Sequence, residues 1–387
     1  MQPRCLRERL ERALGRYPVV VLQGARRVGK STLARRLARP RGMHYLDLGD
    51  PGVFESAKGG ADRFLEGLRL PAVLDAVERL PSLLHAIRRR AGELPAGALL
   101  LVTGGGHYAL SRLVEAHPER VRVLTLDPLT QAELAGSCHD LFAALEHPPE
   151  GRPPESWERA FLTGGLPELQ GLPRGDREVW WRTYLATPEG RARVEEAEKL
   201  RPLLALLAEE GPALLNKSAW AKRLGHSLPW VGRALERLSA RGWVVELPAW
   251  APPEAGKLAR QPRLLLFDSG LAAHLAGTRY AGERDRAFRY LVLLELLRHA
   301  NFAGLRPRHL RSYQGRSVEL VLERPDGKLL AFAVRAATEP GPEDLGDLPW
   351  LRERFGERLA GGYLVHAGDK VHELDGFLAV PHRVLWP

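Results

Sequence analysis

Residues 18–23 (PVVVLQ) form an apolar run and residues 31–39 (STLARRLAR) follow a helical pattern; between them stands Gly24-Ala25-Arg26-Arg27-Val28-Gly29-Lys30-Ser31. No other stretch constrains the chain so tightly. The spacing G-x-x-x-x-G-K-S between a strand and a helix is that of a loop that wraps phosphate. Each residue type has a physical reason. Glycines let the backbone amides curl around phosphate oxygens, and the helix starting near Lys30 points the positive end of its dipole at the same charge. The Lys30 ammonium would reach the terminal phosphates. The Ser31 hydroxyl, with Thr32 beside it, would ligate magnesium. The expected cofactors are therefore ATP and Mg2+.

Further apolar runs occur at 43–48 (MHYLDL), 71–75 (PAVLD), 98–103 (ALLLVT) and 121–126 (VRVLTL). Helical patterns at 81–91 and 107–116 separate them. Strands alternating with helices predict βαβ units around a buried parallel sheet, so the first part of the chain is α/β. Asp75, closing the run PAVLD, is the candidate second magnesium ligand. Thr103 falls where a polar residue would face the γ-phosphate, although Gly104, Gly105 and Gly106 follow it. Arg112 and Arg120 are candidates for an arginine finger, with surface arginine as the plainer reading.

A chain of 387 residues exceeds one ordinary core, and two or three domains are expected. Pro-rich segments at 147–155 and 248–256 mark joins. Residues 157–199 read as helical. Residues 201–250 read as three helices and a hairpin, with Ser227 capping the third helix and Pro229 in its first turn. Val231, Leu235 and Leu238 share one face of that helix, while Arg233, Arg237 and Arg241 share another, close to Glu236. This is the pattern of a winged helix-turn-helix, whose last helix can enter a major groove; a protein-packing module would use the same pattern. Beyond it, helix 284–300 and strand-like runs at 317–323, 329–335 and 362–366 are expected.

The formal charge of +10 favours a nucleic-acid partner, and with the winged-helix pattern the expected one is double-stranded DNA. Only eight of the basic residues are lysines and the arginines are spread along the chain, which a compositional bias would also produce. No apolar run is long enough to span a bilayer, so no membrane role is expected. The two cysteines, Cys5 and Cys138, do not make a disulfide framework, which points to a reducing, cytoplasmic setting.

The segments QGARRVGKSTLARRLA, YLDLGDP, LDAVERLPSLLHAIRR, LLVTGGGHYALSRL and VLTLDPLTQAEL together resemble a family of prokaryotic AAA+ ATPases. FLTGGLPEL, LLLFDSGLAAHLAG and the closing VLWP extend the resemblance over essentially the whole chain. It implies an AAA+ P-loop domain at 1–135, a helical lid region at 136–199, a winged helix at 200–250 and a restriction-endonuclease-like α/β domain at 251–387. It also marks departures. The family's acidic pair Asp-Glu stands here as Asp75-Ala76, with Glu78 two residues on, and its sensor serine as Gly105. Losing a general base slows catalysis by roughly 100- to 10,000-fold, so slow or absent hydrolysis is expected. In the last domain the family's helix glutamate is Arg289, its strand aspartate is Glu319, and its Glu-x-Lys is Ala333-Val334-Arg335. A lone carboxylate cannot hold a divalent ion that needs several oxygen ligands, so nuclease chemistry is not expected. Three functional readings stay open: a DNA-associated nucleotide switch, a DNA-stimulated ATPase, and a protein-interaction module without nucleic acid. A homo-oligomer is possible on the same resemblance.

Overall fold

The structure is a computed structural model that describes residues 2–104, 108–151, 156–186, 194–252 and 258–386. Gly105 and Gly106, and much of both Pro-rich joins, lie outside the described residues. The first part alternates: α1 (Leu6–Leu14), β1 (Val19–Gln23), α2 (Lys30–Ala38), β2 (His44–Asp47), α3 (Pro51–Lys58), α4 (Ala61–Glu66), β3 (Ala72–Asp75), α5 (Pro81–Arg90), β4 (Leu99–Thr103), α6 (Tyr108–Ala116) and β5 (Val121–Thr125). The five strands are parallel, in the order β2-β3-β4-β1-β5. β1 is apolar on both faces because helices cover both: Val20 and Leu22 join one core with Leu6, Leu10 and Leu37, while Val19 and Val21 join another with Leu83 and Leu113. Parallel strands end on a common edge. The loop after β1 and Asp75 at the end of β3 therefore emerge on the same edge, with β4 between their strands.

The middle runs α7 (Gln131–Leu134), α8 (Leu141–Glu146), α9 (Trp157–Thr163), α10 (Arg174–Ala186), α11 (Val194–Glu210), β6 (Ala213–Leu214), α12 (Lys217–Leu224), α13 (Leu228–Ala240), β7 (Val244–Leu247) and β8 (Arg263–Leu266). Ser227 caps α13, accepting from Trp230 N at 3.3 Å, and Val231, Leu235 and Leu238 are buried. β8 lies between β6 and β7, antiparallel to both. The boundary expected at 250 thus falls inside a hairpin, because β7 finds its partner beyond the Pro-rich join.

The rest comprises α14 (Ser269–Ala276), α15 (Arg284–Ala303), β9 (Arg306–Arg311), β10 (Ser317–Glu323), β11 (Leu329–Arg335), α16 (Leu348–Phe355), β12 (Leu359–His366), β13 (His372–Leu374) and β14 (Phe377–Pro381). The strands form a mixed six-stranded sheet, β13-β14-β12-β11-β10-β9. α15 covers one face through Phe288 against Leu320 and Phe332, and α16 the other through Leu348 against Val318 and Ala331.

α15 is buried almost all round, which a helix with polar residues on every turn tolerates only if those residues are satisfied. Arg298 donates to Glu295 at 2.7 Å and to Leu129 O at 3.2 Å, and Glu295 accepts from Gln131 N at 2.9 Å. Asn301 donates to Thr125 O and to Asp127, each at 2.8 Å. Burial pushes the Glu295 carboxyl up to about 7, against the pull of Arg298. These bonds fasten the C-terminal part to the segment that leaves β5.

Cys5 and Cys138, 133 positions apart in sequence, form a disulfide, with Cα atoms 5.3 Å apart. This corrects the expectation of a chain without disulfides, and it removes the ground for a reducing compartment. Spacing along the chain gives no sign of the pairing, because the fold of α1 beside the turn after α7 creates it. Among the described residues no helix is long and apolar enough to cross a membrane.

Candidate functional site

The loop Gly24–Ser31 joins β1 to α2 as the sequence requires. A Cβ at Gly24, where φ is 153°, would collide with the carbonyl oxygen of Leu126, and Gly29 has φ 101°, so both positions call for glycine. Lys30 Nζ donates to Gly24 O at 2.9 Å and Ala25 O at 2.8 Å, folding the cation onto its own loop. Val28 is buried, Ser31 half-buried, and Thr32 exposed on the first turn of α2. A glycine cradle, an ammonium held by exchangeable carbonyls and a helix N-terminus together fit a phosphate group.

Asp75 is 4% exposed at the end of β3. One carboxylate oxygen accepts from Ala76 N at 2.8 Å; the other accepts the hydroxyl of Tyr45 on β2. Burial first, and then this bond, push the Tyr45 phenol up. Arg35 of α2 lies 4.9 Å over the Tyr45 ring, so a chain of contacts runs from the loop helix to the acid. Sequence reading misses Tyr45, because an aromatic in an apolar strand gives no signal for it. Both donors to Asp75 are neutral, so the carboxylate can exchange them for a magnesium ion. Ala76 stands at φ 57°, and Glu78 follows in a short 3-10 turn with one carboxylate oxygen buried and without a hydrogen-bond partner among the described residues. Thr103 is level with Gln23 across β4 and β1, and Gln23 donates to Thr125 at 3.2 Å, giving a polar row along the strand ends.

Arg112 pairs with Glu115 at 3.2 Å on the surface of α6. Arg120 donates to the carbonyls of Ala91 (2.8 Å) and Leu94 (2.6 Å), and sits just before β5, at the edge of the sheet opposite the loop. Within this chain it is a loop clamp, not a group that faces the site.

The crest of the loop is docked on the middle of the chain. Arg26 donates to Tyr184 O at 2.7 Å and stacks 4.7 Å over its ring, while Tyr184 donates back to Arg26 O at 3.3 Å. Arg27 pairs with Glu168 and lies 5.4 Å over Trp180. Gly242, at the end of α13, packs so tightly that a Cβ there would sit 3.0 Å from Ala25 N. The variable positions of the motif are thus the ones engaged by α10 and the turn after α13.

A different arrangement surrounds Glu319 on β10. Its Oε1 accepts from Arg289 at 3.0 Å and Arg335 at 2.8 Å. Arg289 also pairs with Asp285 at 3.3 Å, and Arg263 donates to Ser317 at 2.8 Å nearby. The carboxylate has cations where a metal would need it free.

Residues 16–135 match a family described as an AAA domain, and residues 154–281 match one described as a domain of unknown function. Proteins of Mycobacterium tuberculosis and Mycobacterium bovis, both named only as uncharacterized, are each 27% identical over 286 residues, which cover 72% of this chain and 60% of theirs. The chain therefore spans about 60% of the length of these curated relatives. Among solved structures, a Walker-type ATPase of Pyrococcus abyssi is similar at 17% identity, covering 70% of this chain and 94% of its own, with a TM-score of 0.44. A single-substitution variant of RuvB from Thermotoga maritima follows at 18% identity, covering 63% and 89%, with a TM-score of 0.29. A signal transduction ATPase with numerous domains and a tetratricopeptide repeat sensor, from Pyrococcus horikoshii, is 16% identical, covers 78% and 48%, and has a TM-score of 0.27. Residues 16–135 are thus similar to an AAA domain, and the loop between β1 and α2 has the form of a phosphate-binding loop.

Proposed function

We propose that the chain is an ATP-binding switch whose loop state sets the pose of its middle and C-terminal units on double-stranded DNA, with weak or absent hydrolysis. The observation that carries this reading is the docking of Arg26, Arg27 and Ala25 on Tyr184, Glu168 and Gly242. A loop that must grip phosphate while its crest is held by another unit couples the two. Bound ATP with magnesium brings a dense negative charge to the loop. With nucleotide bound, Lys30 would exchange the carbonyls of Gly24 and Ala25 for phosphate oxygens, backbone amides of the loop from Ala25 to Thr32 would supply further donors, and Ser31 with Asp75 would hold the metal. Ala76 supplies no carboxylate to polarise water, which supports slow turnover. Binding of a fluorescent ATP analogue by wild type and Lys30→Ala tests the reading. A loss of roughly 10- to 100-fold is expected for the variant, from one charge-assisted contact; equal affinities end the proposal.

The DNA part rests on the unit α11–α13 with its three-stranded sheet, an arrangement that supports the winged-helix reading. Lys217 and Lys222 on α12 and Arg233 and Arg237 on α13 lie on the surface of this unit, with Glu236 among them. Phosphate contacts of this kind predict duplex binding that weakens steeply with salt. Binding that is absent at low salt would favour the protein-interaction reading. The mixed sheet with Glu319 supports a nuclease-like fold without cleavage.

The second reading, a DNA-stimulated ATPase, draws on one observation: the unpartnered buried oxygen of Glu78, a carboxylate close enough in sequence to stand in for the missing base. Phosphate release that rises with DNA and disappears in Glu78→Gln would select it.

A further inference from the structure

We propose that the Cys5–Cys138 disulfide is a redox latch on the phosphate loop: it fixes residues 2–5 as one wall of a cavity beside the loop, and opening it weakens nucleotide binding. The proposal rests on the nucleotide reading of that loop. A cavity of about 680 Å³ lies between Arg4 and Cys5 on one side and Gly29 and Thr32 on the other, with His139 and His299 closing it. That volume is in the range of small-molecule sites.

Arg4 is the mechanical link. Its guanidinium donates to Val28 O, a carbonyl of the loop itself, at 3.0 Å, and to Asp127 O, and it pairs with Glu133 at 3.5 Å. Its side chain is only 10% exposed, so these contacts are shielded from solvent. The next residue is one half of the disulfide, and Cys5 N donates to Glu133 Oε1 at 2.7 Å. The other half stands on a fixed base. Thr130 and Glu133 form a reciprocal capping box at the start of α7, and Cys138 follows on the exposed turn after it. Any displacement of Cys5 is therefore passed to Arg4 and from Arg4 to Val28. With the bridge closed, the wall and the loop carbonyl are preorganised; with it open, ligand binding must order residues 2–5 as well.

The chemistry balances with a dithiol as reductant. One of its thiolates attacks the Sγ of Cys138, an exposed residue, the S–S bond breaks with Cys5 leaving as the thiolate, and the mixed disulfide is resolved by the second thiolate. Two electrons and two protons pass to the protein, leaving two thiols, and the reductant closes into its own disulfide.

The test measures the affinity of a fluorescent ATP analogue for the full chain, oxidised and after dithiothreitol, with thiols counted by alkylation and mass spectrometry. The reduced protein should bind at least about fivefold more weakly, the lower end of ordinary coupling between sites. Cys138→Ser should show the reduced value in both conditions, and a melting curve checks that it folds. Arg4→Gln should bind equally in both redox states, since the link is cut. Equal affinities for oxidised and reduced wild type, with Lys30→Ala still weaker, would overturn the latch and leave the ATP reading standing. Tighter binding on reduction, or two alkylatable thiols in air-oxidised protein, would also overturn it. Absence of binding in both states removes the ATP reading and the latch with it.

Discussion

Two carboxylates sit on strands of two different sheets, Asp75 at the end of β3 and Glu319 inside β10, and their surroundings differ in one physical respect. Asp75 accepts from a backbone amide and a phenol, both neutral. Glu319 accepts from two guanidiniums on the same oxygen. A neutral donor can be traded for a metal ion at the net worth of a hydrogen bond, about 1 kcal/mol, whereas displacing a paired cation leaves charges uncompensated in a half-buried place. The first sheet therefore keeps a carboxylate available for chemistry, and the second has turned a similar group into structure. The motif spacing of the loop supports a ligand site in the first part; the partners of Glu319 support a structural role for that acid in the last.

Acid should separate the two regions with the largest effect. Burial pushes His299 down to about 3 and His309, His366 and His382 down to about 4. All four lie on α15 or in the C-terminal sheet and its tail. The neighbours His139 and Arg298 at His299, Arg263 and Arg311 at His309, and His372 at His366 push the same way, while backbone hydrogen bonds at all three and Asp344 at His366 oppose. Unfolded histidine takes its proton near 6.5, so the unfolded state binds more protons as pH falls below that value. The stability is complete above 6.5 and is lost as pH falls toward 4, by up to about 3 kcal/mol per histidine. Glu295, raised to about 7, acts oppositely, since its contribution is lost as pH rises from its unfolded value through 7. Burial raises the carboxyls of Asp127, Glu133 and Asp268 in the same direction, but none of these four acids lies in β9–β14, where His309 and His366 sit. Hydrogen exchange between pH 7 and 4.5 should show β9–β14 losing protection before β1–β5. Uniform loss across both sheets would break the contrast.

The next effect is catalytic. Ala76→Glu restores an acid beside Asp75, and phosphate release should rise by roughly 100-fold or more. Unchanged turnover would mean that the absent carboxylate is not what limits the rate. The matching change in the other sheet, Arg289→Glu, should yield no magnesium-dependent cleavage of duplex DNA, because Arg335 still occupies Glu319.

Much of this contrast is open to sequence reading and some is not. The five parallel strands follow from apolar runs, the loop from its glycine and lysine spacing, and the α13 cap from Ser227 and Pro229. These are local signals. The disulfide, the bond from Tyr45 to Asp75 and the docking of Arg26 on Tyr184 join residues 133, 30 and 158 positions apart, and no pattern in a single chain marks such partners. The pairing of β8 with β7 escapes sequence reading for the same reason. Glu319 is legible as an acid without companions, but its capture by two arginines needs the fold.

A smaller effect concerns stability. Glu319→Gln leaves Arg289 and Arg335 facing each other across a neutral group, and their side chains are 35% and 23% exposed, so solvent screens part of the repulsion. A loss of about 1–2 kcal/mol is expected by chemical denaturation. Asp75→Asn should cost less than about 1 kcal/mol, since the amide oxygen still accepts from Ala76 N and the amide nitrogen can donate to the Tyr45 hydroxyl, which accepts as well as donates. A larger loss at Asp75 than at Glu319 would reverse the assignment of site and scaffold.

The finest test removes one donor from Asp75 and nothing else. In Tyr45→Phe the ring stays in place against Arg35, and one carboxylate oxygen is released. If the phenol competes with magnesium, the metal concentration needed for half-maximal ATP binding should fall by about fivefold, the equivalent of a hydrogen bond's net worth. If the phenol instead orients the carboxylate toward the metal, that concentration rises. The first outcome fits an acid held in reserve by neutral partners. The second would mean that Asp75, like Glu319, depends on its neighbours for position, and the difference between the two sheets would then lie only in the sign of the groups around each acid.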